Sequence, residues 1–239
     1  MERAHLGRVG GFVRRTGASP GGGELHRVAK AADEAITILR RRGMVVSMGH
    51  TGATYEEALR AVELGVTGVT YCFNAMTGLH HRAPGVAGAA LFSDLLTVEL
   101  IADGVHVHPA VGRFLIRIRG REKVVLVSDA VAAADLGDGV GMLGQDVIEV
   151  RQGRAVLADG TMAGSILTLD GAVRNLVRWC QVPLVDAVFM ATAAPAAVLG
   201  LDHRRGMIRA GYDADLVVLD RNLRPTEVFV GGRKVWPGG

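Results

Sequence analysis

Apolar positions recur along the chain in two alternating rhythms. Short, largely apolar runs at 44–48, 66–73, 97–102 and 124–128 have the length of strands, and 44–48 reads as the kind buried on both faces of a parallel sheet. Helical spacing separates them. Over 32–42, Ala35, Ile36 and Leu39 fall at three- and four-residue intervals, and Gly43 supplies the stop. Thr54 and Glu57 form a capping-box pattern that opens a helix through Leu64, with Gly65 behind it. Pro109 suits the first turn of a helix ending near Gly120. The run 26–30 is a fifth strand candidate. After Asp129 the rhythm changes. Runs 145–150 and 154–158 flank Gln152-Gly153 as a β-hairpin, followed by a second turn at Asp159-Gly160. Helical patterns return over 166–180 and 184–193. The tail, 206–236, consists of short β-rich runs broken by Gly211, Pro225 and Gly231-Gly232.

This alternation predicts an α/β fold. A closed eight-strand barrel takes about 250 residues by itself, so four secure parallel strands within 239 residues predict the later strands of a partial (β/α) TIM-type barrel. The expected organisation is an irregular basic segment over 1–25, the partial barrel over 26–204 with a hairpin insertion near 145–163, and accessory strands over 205–239.

Composition narrows the function classes. With 49% hydrophobic and 21% charged residues the chain is globular, not disordered. No run approaches the roughly 18 apolar residues of a membrane span, and the start lacks the apolar core of a signal peptide. Two cysteines, Cys72 and Cys180, make no disulfide framework, so a cytoplasmic location is expected. Both read as buried small apolar residues. Residues 1–42 hold nine Lys/Arg against four Asp/Glu, the remainder 18 against 20. That basic head carries only Phe12 as an aromatic, which argues against nucleic-acid binding and for a solvated segment.

The chemistry collects at strand ends. His50 follows the run 44–48, His106 follows 97–102 and the turn Asp103-Gly104, and Asp129 closes 124–128. Polar side chains at the C-terminal ends of parallel strands are the layout of a (β/α) barrel active site. The run 66–73 is the misfit, because it offers Tyr71 where a ligand of the same kind is expected. Taken singly, each residue has a plainer reading: Asp129 as a turn cap, Arg82 as a solvated loop charge, His106 as a packed imidazole.

In combination the stretches are more specific. Gly49-His50-Thr51, Phe73-Asn74-Ala75-Met76, His80-His81-Arg82-Ala83-Pro84-Gly85, Ile101-Ala102-Asp103-Gly104-Val105-His106 and Leu126-Val127-Ser128-Asp129-Ala130 together resemble, in order and spacing, the N-acetylglucosamine-6-phosphate deacetylases of the amidohydrolase superfamily. The tail Gly211-Tyr212-Asp213-Ala214-Asp215-Leu216-Val217-Val218 looks like the superfamily's accessory β-sandwich, and the resemblance runs from about 32 to 236. It implies hydrolysis of the acetamide of an amino-sugar phosphate, using a divalent metal, zinc or similar, held in part by His50. It further implies Asp129 as general base and then acid on a metal-activated water. Arg82 would clamp the phosphate, aided by Asn74 and the Ala75 backbone. His106 would hydrogen-bond the carbonyl oxygen or the sugar, and Gly164 would line the sugar pocket. The partner implied is a small amino-sugar phosphate, and the assembly a homodimer. His80 and His81 receive no ligand role.

Two positions depart from the pattern. Relatives read Thr-His-Leu where this chain has Thr70-Tyr71-Cys72, and Ala-Pro-Glu where it has Ala29-Lys30-Ala31, so Tyr71 and Ala31 replace a metal-binding His and Glu. The relatives' early His-x-His has no counterpart here. A neutral phenol is a weak substitute for imidazole. Lys30, as a carbamate, would lie on the wrong strand face, and neither Glu24 nor His26 has ligand spacing. Three readings follow: a deacetylase-like hydrolase with an impaired metal site, a non-catalytic sugar-phosphate binder, and a truncated, degenerate fragment.

Overall fold

Nothing between Gly23 and Gly43 breaks a helix, and α1 (Gly22–Arg41) runs to within two residues of Gly43. The computed structural model describes residues 22–131, 134, 138–143, 146–151, 153–160 and 162–237. The irregular segment expected at 1–25 therefore lies outside the described residues through 21, and its last four residues are helical. The strand candidate 26–30 is also helical. It has one β-branched residue, Val28, beside the helix formers Arg27, Ala29 and Lys30. Lys30 and Ala31 are thus successive helix positions about 100° apart, not opposite strand faces. The side chains of Glu24, His26, Lys30 and Ala31 lie outside the described part.

The chain divides into two compact units, the first through Glu99 and the second Leu100–Gly239. In the first, β1 (Ser47–Met48) and β2 (Gly68–Val69) pair in parallel, and β2 pairs in parallel with the opening residues of β3 (Thr97–Ile101). The first two strands are shorter than their apolar runs. In β2 the reason is local: from Thr70 onward the backbone turns, with positive φ at Tyr71, Phe73 and Ala75, so 70–73 is not strand. Between β1 and β2, α2 (Tyr55–Glu63) has its capping box complete. Thr54 Oγ1 accepts from the Glu57 N–H, and Glu57 accepts from the Thr54 N–H. An unexpected helix, α3 (Gly85–Phe92), is buried from Gly85 through Leu91 and packs on α2. Its sequence is apolar all round, so it carries no amphipathic period to read.

In the second unit, Leu100 and Ile101 continue β3 and are buried. Pro109 opens α4 (Pro109–Arg119) and Gly120, at φ 71, closes it; a short 3-10 turn leads into β4 (Val124–Val127). The expected hairpin is half of a larger feature. β5 (Gly139–Leu143), β6 (Asp146–Arg151), β7 (Arg154–Leu157) and β8 (Met162–Gly164) form one antiparallel sheet in that order. Its inner face packs Ile148, Val150 and Ala155 on Val131. Next come α5 (Leu169–Trp179), α6 (Leu184–Ala191) and α7 (Ala193–Val198), the last not anticipated. Burying Leu115, Leu126, Leu176 and Met190 stabilises this unit by about 1.5–3 kcal/mol for each side chain. The tail forms a three-stranded antiparallel sheet, β9 (Leu216–Leu219), β10 (Pro225–Val230) and β11 (Arg233–Trp236), in the order β11-β10-β9.

Candidate functional site

In the first unit the strand ends are held in left-handed backbone. His50 has φ 46, Tyr71 49, Phe73 75 and Ala75 48, a region that costs a non-glycine residue about 1–2 kcal/mol. The approach that brings the two ends together needs Gly49, where a Cβ would stand 2.9 Å from Thr70 Cβ and 3.2 Å from its carbonyl oxygen. Ser47 and Thr70 are joined by their hydroxyls at 2.8 Å. The His50 and Tyr71 rings then meet edge to face, centroids 5.8 Å apart and planes at 88°. Asn74 clamps the turn itself. Its backbone N–H donates to Tyr71 O at 2.8 Å, and Nδ2 donates to Tyr71 O and Cys72 O at 3.3 and 3.2 Å. Its amide donors are therefore spent on the turn, not left for a phosphate.

Arg82 is exposed on the loop before α3. Its Nη1 donates to His81 Nε2 at 2.8 Å, and its backbone N–H donates to His80 Nδ1 at 3.3 Å. The two histidines, their ring centroids 4.2 Å apart and planes tilted by 43°, thus hold the arginine. Thr77 ties the loop at its base. Its hydroxyl donates to Ala53 O at 2.6 Å and accepts from the Val86 N–H at 2.8 Å, capping α3 where Pro84 cannot.

In the second unit the turn after β3 is built on Asp103. Oδ1 accepts from the N–H groups of Val105 and His106, each at 2.8 Å, and Oδ2 is 2.6 Å from His106 Nδ1. Burial alone would raise the Asp103 carboxyl. The His106 ring and the two backbone donors more than reverse this, so it titrates below the usual carboxylate range. Asn175, on α5, donates through Nδ2 to Ala102 O at 2.8 Å and anchors the strand end beneath.

Asp129 sits beyond β4 with φ 51. Its carbonyl accepts from the Ser165 N–H at 2.8 Å, and Ser165 O accepts from the Val131 N–H at 2.9 Å. The buried Ser165 hydroxyl donates to Ser128 O and accepts from the Leu167 N–H. Gly164 faces this corner at φ 132, and a Cβ there would come within 2.8 Å of Val131 Cγ1 and 3.0 Å of Asp129 O. Asp129 and Gly164, both singled out from sequence, are neighbours. Asp103, Thr77, Asn175 and Ser165 were not singled out as site residues. Of these only Asp103 left a trace, in the turn Asp103-Gly104.

The described residues do not gather a donor set for a divalent metal. Among the described residues no three His, Cys, Asp or Glu side chains converge on a point that could hold one. His50 has a phenol beside it, and a catalytic zinc is typically held by three protein ligands.

The sequence matches the amidohydrolase family over residues 16–235. It is 39% identical over 203 residues to the N-acetylglucosamine-6-phosphate deacetylase of Vibrio furnissii, covering 85% of this chain and 51% of that protein. It is 38% identical over 204 residues to the N-acetylgalactosamine-6-phosphate deacetylase of Escherichia coli O157:H7, covering 85% and 54%. A mutant of the Mycobacterium smegmatis N-acetyl-D-glucosamine-6-phosphate deacetylase, solved with N-acetyl-D-glucosamine-6-phosphate, superposes with a TM-score of 0.81 at 38% identity, over 91% of this chain and 62% of that one. The chain spans about half the length of these two curated relatives.

Proposed function

The chain belongs to the amidohydrolase family, and from that premise we propose that it is an N-acetylglucosamine-6-phosphate deacetylase-like amide hydrolase whose metal site is impaired. The reading takes β1 to β4 and their helices as later strands of a (β/α) barrel, β5 to β8 as an insertion, and β9 to β11 as part of the accessory sandwich. The ligand is an N-acetylhexosamine 6-phosphate in the cytoplasm, and the assembly a homodimer. Arg82, oriented by His80 and His81, supplies the phosphate counter-ion. His106 contacts the sugar or its acetamide. Gly164 keeps the pocket wall next to Asp129 free of a side chain. Asp129 is the carboxylate for proton transfer.

One observation carries the impaired-site reading: Tyr71, edge-on to His50, stands where the resemblance expects a ligating imidazole. Acetate release from N-acetylglucosamine 6-phosphate should therefore stay near background with zinc supplied. Tyr71→His alone should restore little, and adding Ala31→Glu should help more than the two single changes combined, as ligands act as a unit. Calorimetry should still detect the sugar phosphate, with Arg82→Ala weakening it by at least about tenfold. Robust metal-dependent deacetylation by the unaltered chain, abolished in Asp129→Asn, would sink the impaired-site reading. Equal binding of the unphosphorylated sugar would remove Arg82 from it.

The non-catalytic binder is the second reading. The intact Arg82 cradle favours it, and measurable binding without turnover distinguishes it.

A further inference from the structure

One carboxylate organises the turn from Asp103 to His106. Oδ1 is committed to two backbone donors, Val105 and His106, and Oδ2 faces His106 Nδ1 at 2.6 Å. Both side chains are more than nine-tenths buried, at 9% and 7% exposure. A carboxylate only accepts, so the hydrogen in the short contact belongs to Nδ1. What one ring nitrogen does then decides what the other can offer.

We propose that Asp103 is a positioning residue that locks the neutral His106 ring in its Nδ1–H tautomer and turns Nε2 to the ligand as a hydrogen-bond acceptor. The inference rests on the proposed role of His106 toward an N-acetylhexosamine 6-phosphate and deepens it. A ring held this way takes a hydrogen from a sugar hydroxyl. Without Asp103 the ring is free to rotate and to carry its proton on either nitrogen.

Asp103→Asn reverses the polarity of one bond and leaves the others in place. The two backbone N–H groups demand an oxygen at the Oδ1 position, so the amide –NH2 falls opposite Nδ1. Nδ1 must then accept, and the proton moves to Nε2. Long-range nitrogen–proton spectra of the labelled 239-residue chain, taken without ligand at about pH 8.5, well above the ordinary imidazole range, read the tautomer directly. His106→Gln identifies the signal. The expected result is a protonated Nδ1 in the unaltered chain and a protonated Nε2 in Asp103→Asn. On adding N-acetylglucosamine 6-phosphate, the Nε2 signal should move while Nδ1 stays protonated, and Asp103→Asn should bind the sugar phosphate roughly tenfold more weakly, the worth of one misdirected hydrogen bond. A protonated Nε2 in the unaltered chain overturns the proposal even if the variant does not fold. An unchanged affinity in a variant whose tautomer has switched overturns the positioning role. If the sugar phosphate moves neither nitrogen, the reading of His106 as a ligand contact fails, and the tautomer measured without ligand still stands on its own.

Discussion

At the scale of single residues, strain and close approach concentrate at the candidate site. Gly164 is the sharpest case, since both its φ of 132 and its contact with Val131 and the Asp129 carbonyl exclude a side chain. Gly164→Ala should destabilise the chain by about 1–3 kcal/mol, through backbone strain and overpacking. Urea denaturation would measure it, and a midpoint within error of the unaltered chain would contradict it. Asp103 gives a pH-dependent case. Its folded carboxyl titrates below the usual range, so its stabilisation is fully present above the unfolded value of about 3.9 and is lost as pH falls through the folded value. The stability gap between the unaltered chain and Asp103→Asn should accordingly be constant above about pH 5 and shrink below about pH 4. Sequence could nominate Asp129 and His106 by their place after apolar runs. It could not reveal that Tyr71, Phe73 and Ala75 adopt left-handed backbone, because none of these residue types favours it.

At the scale of elements, caps and stops were legible because they depend on neighbours three or four residues apart. The capping box of α2 and the Pro109 start and Gly120 end of α4 follow the local pattern. The expected strand over 66–73 fails after Val69 because Asn74 turns the chain back on itself. The start of α3 is fixed from outside the helix by Thr77, nine residues from Val86. Thr77→Val keeps the shape but strands the Val86 N–H and the Ala53 carbonyl. It should cost about 1–3 kcal/mol in thermal or urea unfolding and loosen the Arg82 loop. The β9 to β11 sheet is a contrasting element. No residue of its three strands is fully buried, and Val217, Val230 and Val235 are each more than half exposed. Hydrogen exchange in it should outpace that of β3 and β4, because little apolar burial opposes local opening. Equal protection would mean that this sheet is covered in solution.

At the scale of the whole molecule, metal binding is a stability question as well as a catalytic one. An ion bound to the native chain at about 100 times its Kd would add about 2.7 kcal/mol and raise the melting temperature. With His50 beside Tyr71 and no cluster of three ligands among the described residues, zinc should leave the melting temperature of the 239-residue chain unchanged. Tyr71→His with Ala31→Glu should make it respond. A clear rise for the unaltered chain would show that a metal cage assembles after all. Sequence by itself determined the α/β alternation, the order of the strand-end motifs, the break in rhythm after Asp129 and the substitution at Tyr71, because periodicity, capping and motif order are properties of near neighbours. Tertiary structure decided which of those residues act on one another. Ser165 reaches 37 residues back to the Ser128 carbonyl, Asn175 reaches 73 back to Ala102, and Asp103 divides its two oxygens between backbone and ring. Such choices come from which buried polar groups must find a partner once the core closes, and that competition is not written in any local stretch of the chain.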